Sequence, residues 1–114
     1  VKKKHYIPDC GDIVWLTFAP QAGHEQAGRR PAVVISPILY NEKTDLAIFC
    51  PITNQVKGYP FEVIIPPNLG VDGVILSDQI KNLDWKSRNA EFICKLPHSS
   101  FDEVMGKIRA LLSL

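Results

Sequence analysis

Asp12-Ile-Val-Trp-Leu-Thr-Phe18, Pro31-Ala-Val-Val-Ile-Ser36 and Leu46-Ala-Ile-Phe-Cys-Pro51 decide the fold class. Each run is short, rich in β-branched and aromatic residues and bounded by turn formers, the pattern of strands buried on one or both faces. Outward from these three the texture repeats in Phe61-Glu-Val-Ile-Ile65, in Gly73-Val-Ile-Leu-Ser77, from Gln79 to Leu83 and from Ala90 to Leu96. Most of the nine prolines fall at the ends of the runs, where a missing N–H costs a sheet least.

The period then changes. Phe101, Val104, Met105, Ile108, Leu111 and Leu112 recur at helical spacing and form one apolar face of an amphipathic helix. Ser100 and Glu103 have the spacing of a capping box, which predicts that the helix starts there. The expected architecture is mainly β: an SH3-like small barrel, meaning a strongly bent antiparallel sheet, covered by a C-terminal α-helix. A length of 114 residues with 46% hydrophobic content predicts a single domain over 1–114, large enough to hold a core without staples.

Thirteen basic against twelve acidic residues leave a formal charge of +1, so bulk charge does not hold this chain to nucleic acid. Contact with RNA or DNA has to be local. Cys10, Cys50 and Cys94 are an odd number without a CxxC pair, which argues against a disulfide framework or a zinc site and for packing thiols in a reducing cytoplasm. No segment approaches the ~20 apolar residues of a membrane span, and Val1-Lys-Lys-Lys-His5 lacks the apolar core of a signal peptide. The reading therefore expects no membrane association, no metal and no cofactor.

Two polar segments stand out. Ala19 to Arg30 carries His24, Glu25, Gln26, Arg29 and Arg30 in a connection without periodicity, and connections of that length are commonly functional. Thr53-Asn-Gln-Val-Lys-Gly-Tyr59 offers a hydroxyl, amides, a cation and an aromatic ring, groups that hydrogen-bond to and stack on single-stranded RNA. Ser77-Asp-Gln-Ile-Lys81 extends the same chemistry, whereas Trp15 and Trp85 are read as core or dimer-interface residues.

Pro8-Asp-Cys-Gly-Asp-Ile-Val-Trp15, Gly23-His-Glu-Gln-Ala-Gly-Arg-Arg-Pro-Ala-Val-Val-Ile-Ser-Pro37, Pro51-Ile-Thr-Asn-Gln55, Lys57-Gly-Tyr-Pro-Phe-Glu-Val63 and Asp72-Gly-Val-Ile-Leu-Ser-Asp-Gln-Ile-Lys81 together resemble the MazF/PemK toxins of bacterial toxin–antitoxin systems. The resemblance runs nearly end to end and is mainly one of pattern after residue 85. It implies a cytoplasmic, homodimeric, metal-independent endoribonuclease that cuts single-stranded RNA or mRNA at a short motif and arrests translation and growth. It also implies a cognate MazE-like antitoxin whose disordered acidic C-terminal segment covers the toxin. ACA-containing sites, which closely similar toxins recognise, are the first expectation for the motif.

By motif, Arg30 and Thr53 fall on the family's catalytic pair, and Glu25 and Gln26 on its loop glutamate and glutamine. Arg29 stands where close relatives often carry histidine, so any proton transfer by that histidine needs another group here. Metal-free cleavage requires a base for the ribose 2′-OH, stabilisation of the phosphorane and an acid for the 5′ oxygen; it leaves a 2′,3′-cyclic phosphate and a 5′-hydroxyl. Arg30 suits the clamp, since its planar donor fork matches phosphate and an arginine that holds its proton so firmly is a poor base. Glu25 is the candidate base and His24 the candidate proton donor. Gln26, Arg29, Asn54, Lys57, Tyr59 and Gln79 are the expected RNA contacts. Two other functions compete on the same barrel: a CcdB-like toxin that binds a protein target such as DNA gyrase without cutting RNA, and an SH3-like interaction module. Arg30 with Thr53 is the feature that separates the enzyme from both.

Overall fold

The computed structural model describes residues 5–18 and 28–114. Among them, seven strands and two helices follow in the order β1 (Asp12–Phe18), β2 (Gly28–Val34), α1 (Ile38–Thr44), β3 (Leu46–Thr53), β4 (Glu62–Ile64), β5 (Val74–Leu76), β6 (Lys81–Asp84), β7 (Glu91–Lys95) and α2 (His98–Leu112). The strands form one sheet in the order β4-β5-β3-β2-β1-β7, with β6 joined to β3 beside that path. The pairings are antiparallel.

The long β3 is the corner of the sheet. Its first half pairs Leu46 through Phe49 with β6, while Ile52 and Thr53 at its other end pair with Ile75 and Val74 of β5. One strand therefore has two successive neighbours along the same edge, and the sheet turns between them. The sheet does not close, for β4 and β7 lie at opposite ends of its order. Helix α2 bridges the gap: it leaves β7 and packs on β4. The expected bent antiparallel sheet with a covering helix is the fold observed, as an open rather than closed barrel.

Alternation along the strands divides the apolar residues between two faces. Ile13, Val33, Cys50, Ile52 and Ile75 pack against Val104 and Ile108 of α2. Val14, Leu16, Val34 and Phe49 face the other way, around Trp85. Burying side chains of this size contributes ~1.5–3 kcal/mol each, which is why the register of β1, β2 and β3 is firmly set. Cys50 lies in the core and Cys94 packs against it, while Cys10 is partly buried outside both clusters; burial pushes all three thiols upward, Cys50 to about 12 with help from the nearby Asp78 charge.

Three differences from the sequence reading matter. The predicted capping box is not formed: α2 starts three residues earlier, at His98, with Pro97 at its N-cap and no side-chain cap bond, and Phe101 N–H donates to the Pro97 carbonyl at 3.0 Å. Pro97, at φ −55°, sets the helical entry by ring geometry instead, leaving Ser100 inside the first turn. The strand expected from Pro31 begins at Gly28, so Arg29 and Arg30 are strand residues with fixed directions. Finally, α1 was not anticipated; its buried residue is Asn41, a polar one. No described helix is long and apolar enough to cross a membrane.

Candidate nucleic-acid interface

Thr53 ends β3 and pairs with Val74, next to Gly73. A Cβ on Gly73 would lie 2.1 Å from the Thr53 carbonyl oxygen, and Gly73 has φ +111°, so only glycine lets the two backbones meet here. The close approach fixes the Thr53–Asn54 corner. Gln55 N–H donates to Thr53 Oγ1 at 3.1 Å, and Val56 N–H donates to the Asn54 carbonyl at 3.1 Å. Among the described residues the Thr53 hydroxyl proton is given to no acceptor.

Arg30 approaches from β2. The ladder between β2 and β3 reaches Ala32↔Pro51, and beyond it Arg30 and Thr53 border the same space. There a hollow of about 260 Å³ is bounded by Arg29, Arg30, Thr53 and Asn54, with Trp15 and Asp72 on its rim. Thr53 also borders a second hollow of about 300 Å³, whose wall holds Lys57, Tyr59 and Gln79 together with Glu62 and Asp78. One threonine thus joins a guanidinium-lined hollow to a mixed polar and aromatic one. Within the second, Lys57 Nζ lies 5.8 Å from the Tyr59 ring centre, a cation–π contact that holds both near the surface.

Arg29 and Arg30 are neighbours with different tasks. Adjacent strand residues point to opposite faces. Arg29 Nη1 donates to Thr17 Oγ1 at 3.0 Å and Nη2 to the Asn89 carbonyl at 2.8 Å, and the same guanidinium pairs with Glu91. Its donors tie β1 to the turn before β7. Its side chain still borders the Arg30 hollow and keeps about a third of its surface exposed.

Of the residues expected to act on RNA, Arg29, Arg30, Thr53 and Asn54 meet around one hollow, and Thr53, Lys57, Tyr59 and Gln79 around the other. His24, Glu25 and Gln26 lie outside the described residues. Of the two places read for Trp15, core or dimer interface, the core is excluded within this chain. Its ring is 42% exposed beside Arg30 and Thr53, while Trp85 is buried at 6% as expected of a core residue. Strand alternation carried the signal, since Trp15 shares a face with Thr17, which is exposed, and not with the buried Val14 and Leu16. Glu62, Asp72 and Asp78 lay in quoted motifs without an assigned task, although carboxylates beside a cationic site shape its field.

Comparison with known proteins agrees with this fold. The family model for the PemK-like, MazF-like toxin of type II toxin–antitoxin systems matches residues 9–112. The chain is 44% identical over 107 residues to the endoribonuclease toxin MazF of Escherichia coli strain K12, covering 94% of this chain and 96% of that protein. It superposes on the crystal structure of MazF from Deinococcus radiodurans with a TM-score of 0.93 at 54% identity, covering 96% of this chain and all 100% of the other. A crystal structure of the MazE–MazF complex from the same organism matches with a TM-score of 0.87 at 47% identity, over 96% and 99% of the two chains. With the model spanning nearly the whole sequence and these relatives matched end to end, the chain belongs to the PemK-like, MazF-like toxin family of type II toxin–antitoxin systems.

Proposed function

We propose that this chain is a sequence-specific, metal-independent endoribonuclease toxin that cuts single-stranded RNA, mRNA included, and so halts translation and growth. The observation that carries the reading is the junction at Thr53, where the hollow holding Arg30 meets the hollow holding Lys57, Tyr59 and Gln79. A scissile phosphate seated at Thr53 would have a guanidinium fork on one side and base-contacting groups on the other. Arg30 and the Thr53 hydroxyl then donate to the non-bridging oxygens as charge builds on the phosphorane.

The ribose 2′-oxygen attacks phosphorus and the P–O5′ bond breaks, giving a 2′,3′-cyclic phosphate and a 5′-hydroxyl. Glu25 takes the 2′-OH proton and His24 supplies one to the departing 5′ oxygen, the roles for which a carboxylate and an imidazole are chemically suited. Asn54, Lys57, Tyr59 and Gln79, with Gln26 and Arg29, contact bases and phosphates, and ACA-containing sites are the first motif to examine. The working unit is a homodimer in the bacterial cytoplasm. A cognate MazE-like antitoxin with an acidic, disordered C-terminal segment folds over the RNA path when it binds. The MazE–MazF complex of the Deinococcus radiodurans relative supports that partner class.

The test is purified protein and its Arg30→Ala variant with a long single-stranded RNA in EDTA, mapping every new 5′ end. The expected result is discrete cuts with 5′-hydroxyls at a short common motif, reduced at least about a hundredfold in the variant. Intact RNA with both proteins would overturn the reading in favour of a toxin aimed at a protein.

A further inference from the structure

We propose that Glu62 is a positioning residue that clasps the Lys57–Tyr59 turn in the shape that presents Lys57 and Tyr59 to RNA, an inference that rests on the endoribonuclease reading. Glu62 opens β4 and is held in the ladder opposite Leu76 of β5. From that fixed base its carboxylate reaches back over the preceding turn. Oε2 accepts from Lys57 N–H at 3.1 Å and Oε1 from Gly58 N–H at 2.9 Å, while Glu62 N–H donates to the Tyr59 carbonyl at 3.1 Å.

Both side-chain oxygens are engaged with consecutive backbone amides, and the residue's own amide closes the ring. Successive N–H groups aimed at one anion form a nest, here filled from within by the chain's own carboxylate. Gly58 supplies the backbone bend, with φ +79°. At the far side of the turn Lys107 of α2 donates to the Pro60 carbonyl. The turn would otherwise have little to hold it, since Val56 and Tyr59 are exposed and contribute little core packing. Bonds from amides to an ionised acceptor are stronger than neutral ones, so a single carboxylate is enough to order it.

Electrostatics alone makes the opposite prediction. Glu62 is an anion in the wall of a hollow that receives a polyanion, so its removal should tighten RNA binding if charge were all that mattered. A clasp predicts weaker binding, because the cation and ring lose their fixed placement.

The experiment compares wild type, Glu62→Ala, Glu62→Gln, Lys57→Ala and the Lys57→Ala/Glu62→Ala double variant on a fluorogenic RNA carrying the mapped cleavage site. Glu62→Ala is expected to raise KM about tenfold with kcat within about threefold of wild type, and Glu62→Gln, which keeps an acceptor oxygen, to recover part of that loss. The double variant should lose less than the two single losses combined, since Glu62 acts partly through Lys57. Amide hydrogen exchange supplies a readout independent of activity: the Lys57 and Gly58 N–H groups should be protected in wild type and exchange faster in Glu62→Ala, with core amides unchanged. A lower KM in Glu62→Ala, or unchanged KM together with unchanged exchange at those two amides, overturns the clasp while leaving the nuclease reading intact. RNA left whole by wild type overturns the nuclease reading, and with it the role of Glu62 toward RNA.

Discussion

Asn41 and Thr53 are both buried polar residues flanking β3, and their hydrogen bonds are arranged to different ends. Asn41 is fully buried and saturated: Ser36 Oγ donates to its Oδ1 at 2.6 Å, and its Nδ2 donates to the Pro8 and Ser36 carbonyls at 2.7 and 3.0 Å. Its backbone carbonyl also accepts from Trp85 Nε1 at 2.9 Å, and Ser36 Oγ accepts from Ile48 N–H at 2.8 Å. Four segments meet there with every partner supplied by the chain. Thr53 is nearly as buried, yet its hydroxyl accepts one short-range bond from Gln55 and, among the described residues, gives its proton to no acceptor beside two hollows. A saturated buried network makes a unique scaffold, whereas an incompletely used group at its edge is where a ligand can complete the bonding.

Substitution should separate the two. Asn41→Ala strands the Ser36 hydroxyl and two buried carbonyls, so the expected loss is about 3–5 kcal/mol of folding stability in urea titration. Activity per folded molecule should change little. Thr53→Val is the converse: it keeps the shape and removes one hydroxyl, so stability should move by less than about 1 kcal/mol while RNA cleavage falls about a hundredfold in kcat. If Thr53→Val were instead as destabilising as Asn41→Ala and still cut RNA at the wild-type rate, the division between scaffold and edge would be wrong.

Gly73→Ala lies between them, because that glycine belongs to the scaffold and shapes the edge. An added Cβ cannot sit 2.1 Å from the Thr53 carbonyl, so the corner must shift. A loss of about 2 kcal/mol in stability is expected together with a tenfold or larger fall in cleavage. A control at Gly28, where a Cβ would meet nothing within 4 Å, carries the positive-φ cost without the clash. Only the difference between the two variants reports on Thr53.

The same contrast explains what could be read without coordinates. The β-strands and α2 were legible because their apolar residues repeat at periods of two and 3.6, and the family motifs marked Arg30 and Thr53. Helix α1 was not, since Ile-Leu-Tyr-Asn-Glu-Lys-Thr buries Asn41 and has no apolar face to betray it. Partners at Pro8, Ser36 and Trp85 make that helix worth forming. The start of α2 was misplaced because the helix is entered from Pro97 without a side-chain cap, so the Ser100–Glu103 spacing marks no boundary. At the edge, residue types gave the chemistry but not the division of labour: nothing in Arg29-Arg30 says that the first is bonded to Thr17, Asn89 and Glu91 while the second borders the same space as Thr53. Register decides that, and register is a property of the sheet.

The smallest expected effect is a pH dependence that belongs to the scaffold. Burial pushes the Cys50 thiol from 9.0 up to about 12. Burial and the hydrogen bond to Asp12 raise Tyr6, and the bond to Asp12 raises Lys95. For Cys50 the unfolded chain releases its proton above about pH 9 while the folded chain holds it, so stability falls as pH rises toward 12. Tyr6 has the same sign at higher pH. Lys95 adds stability below the ordinary lysine range and loses it as pH climbs through its raised value, but its side chain is 57% exposed, so solvent screening keeps that part small. Urea titrations at pH 7.5, 9 and 10 should show a declining limb with at most one proton's slope from Cys50, about 1.4 kcal/mol per pH unit. Cys50→Val, nearly isosteric and without the ionising group, should flatten the part of that limb below pH 10 and leave RNA cleavage at neutral pH unchanged. An equally steep limb below pH 10 in Cys50→Val would show that the Cys50 thiol does not carry it, since Tyr6 and Lys95 act only above that range.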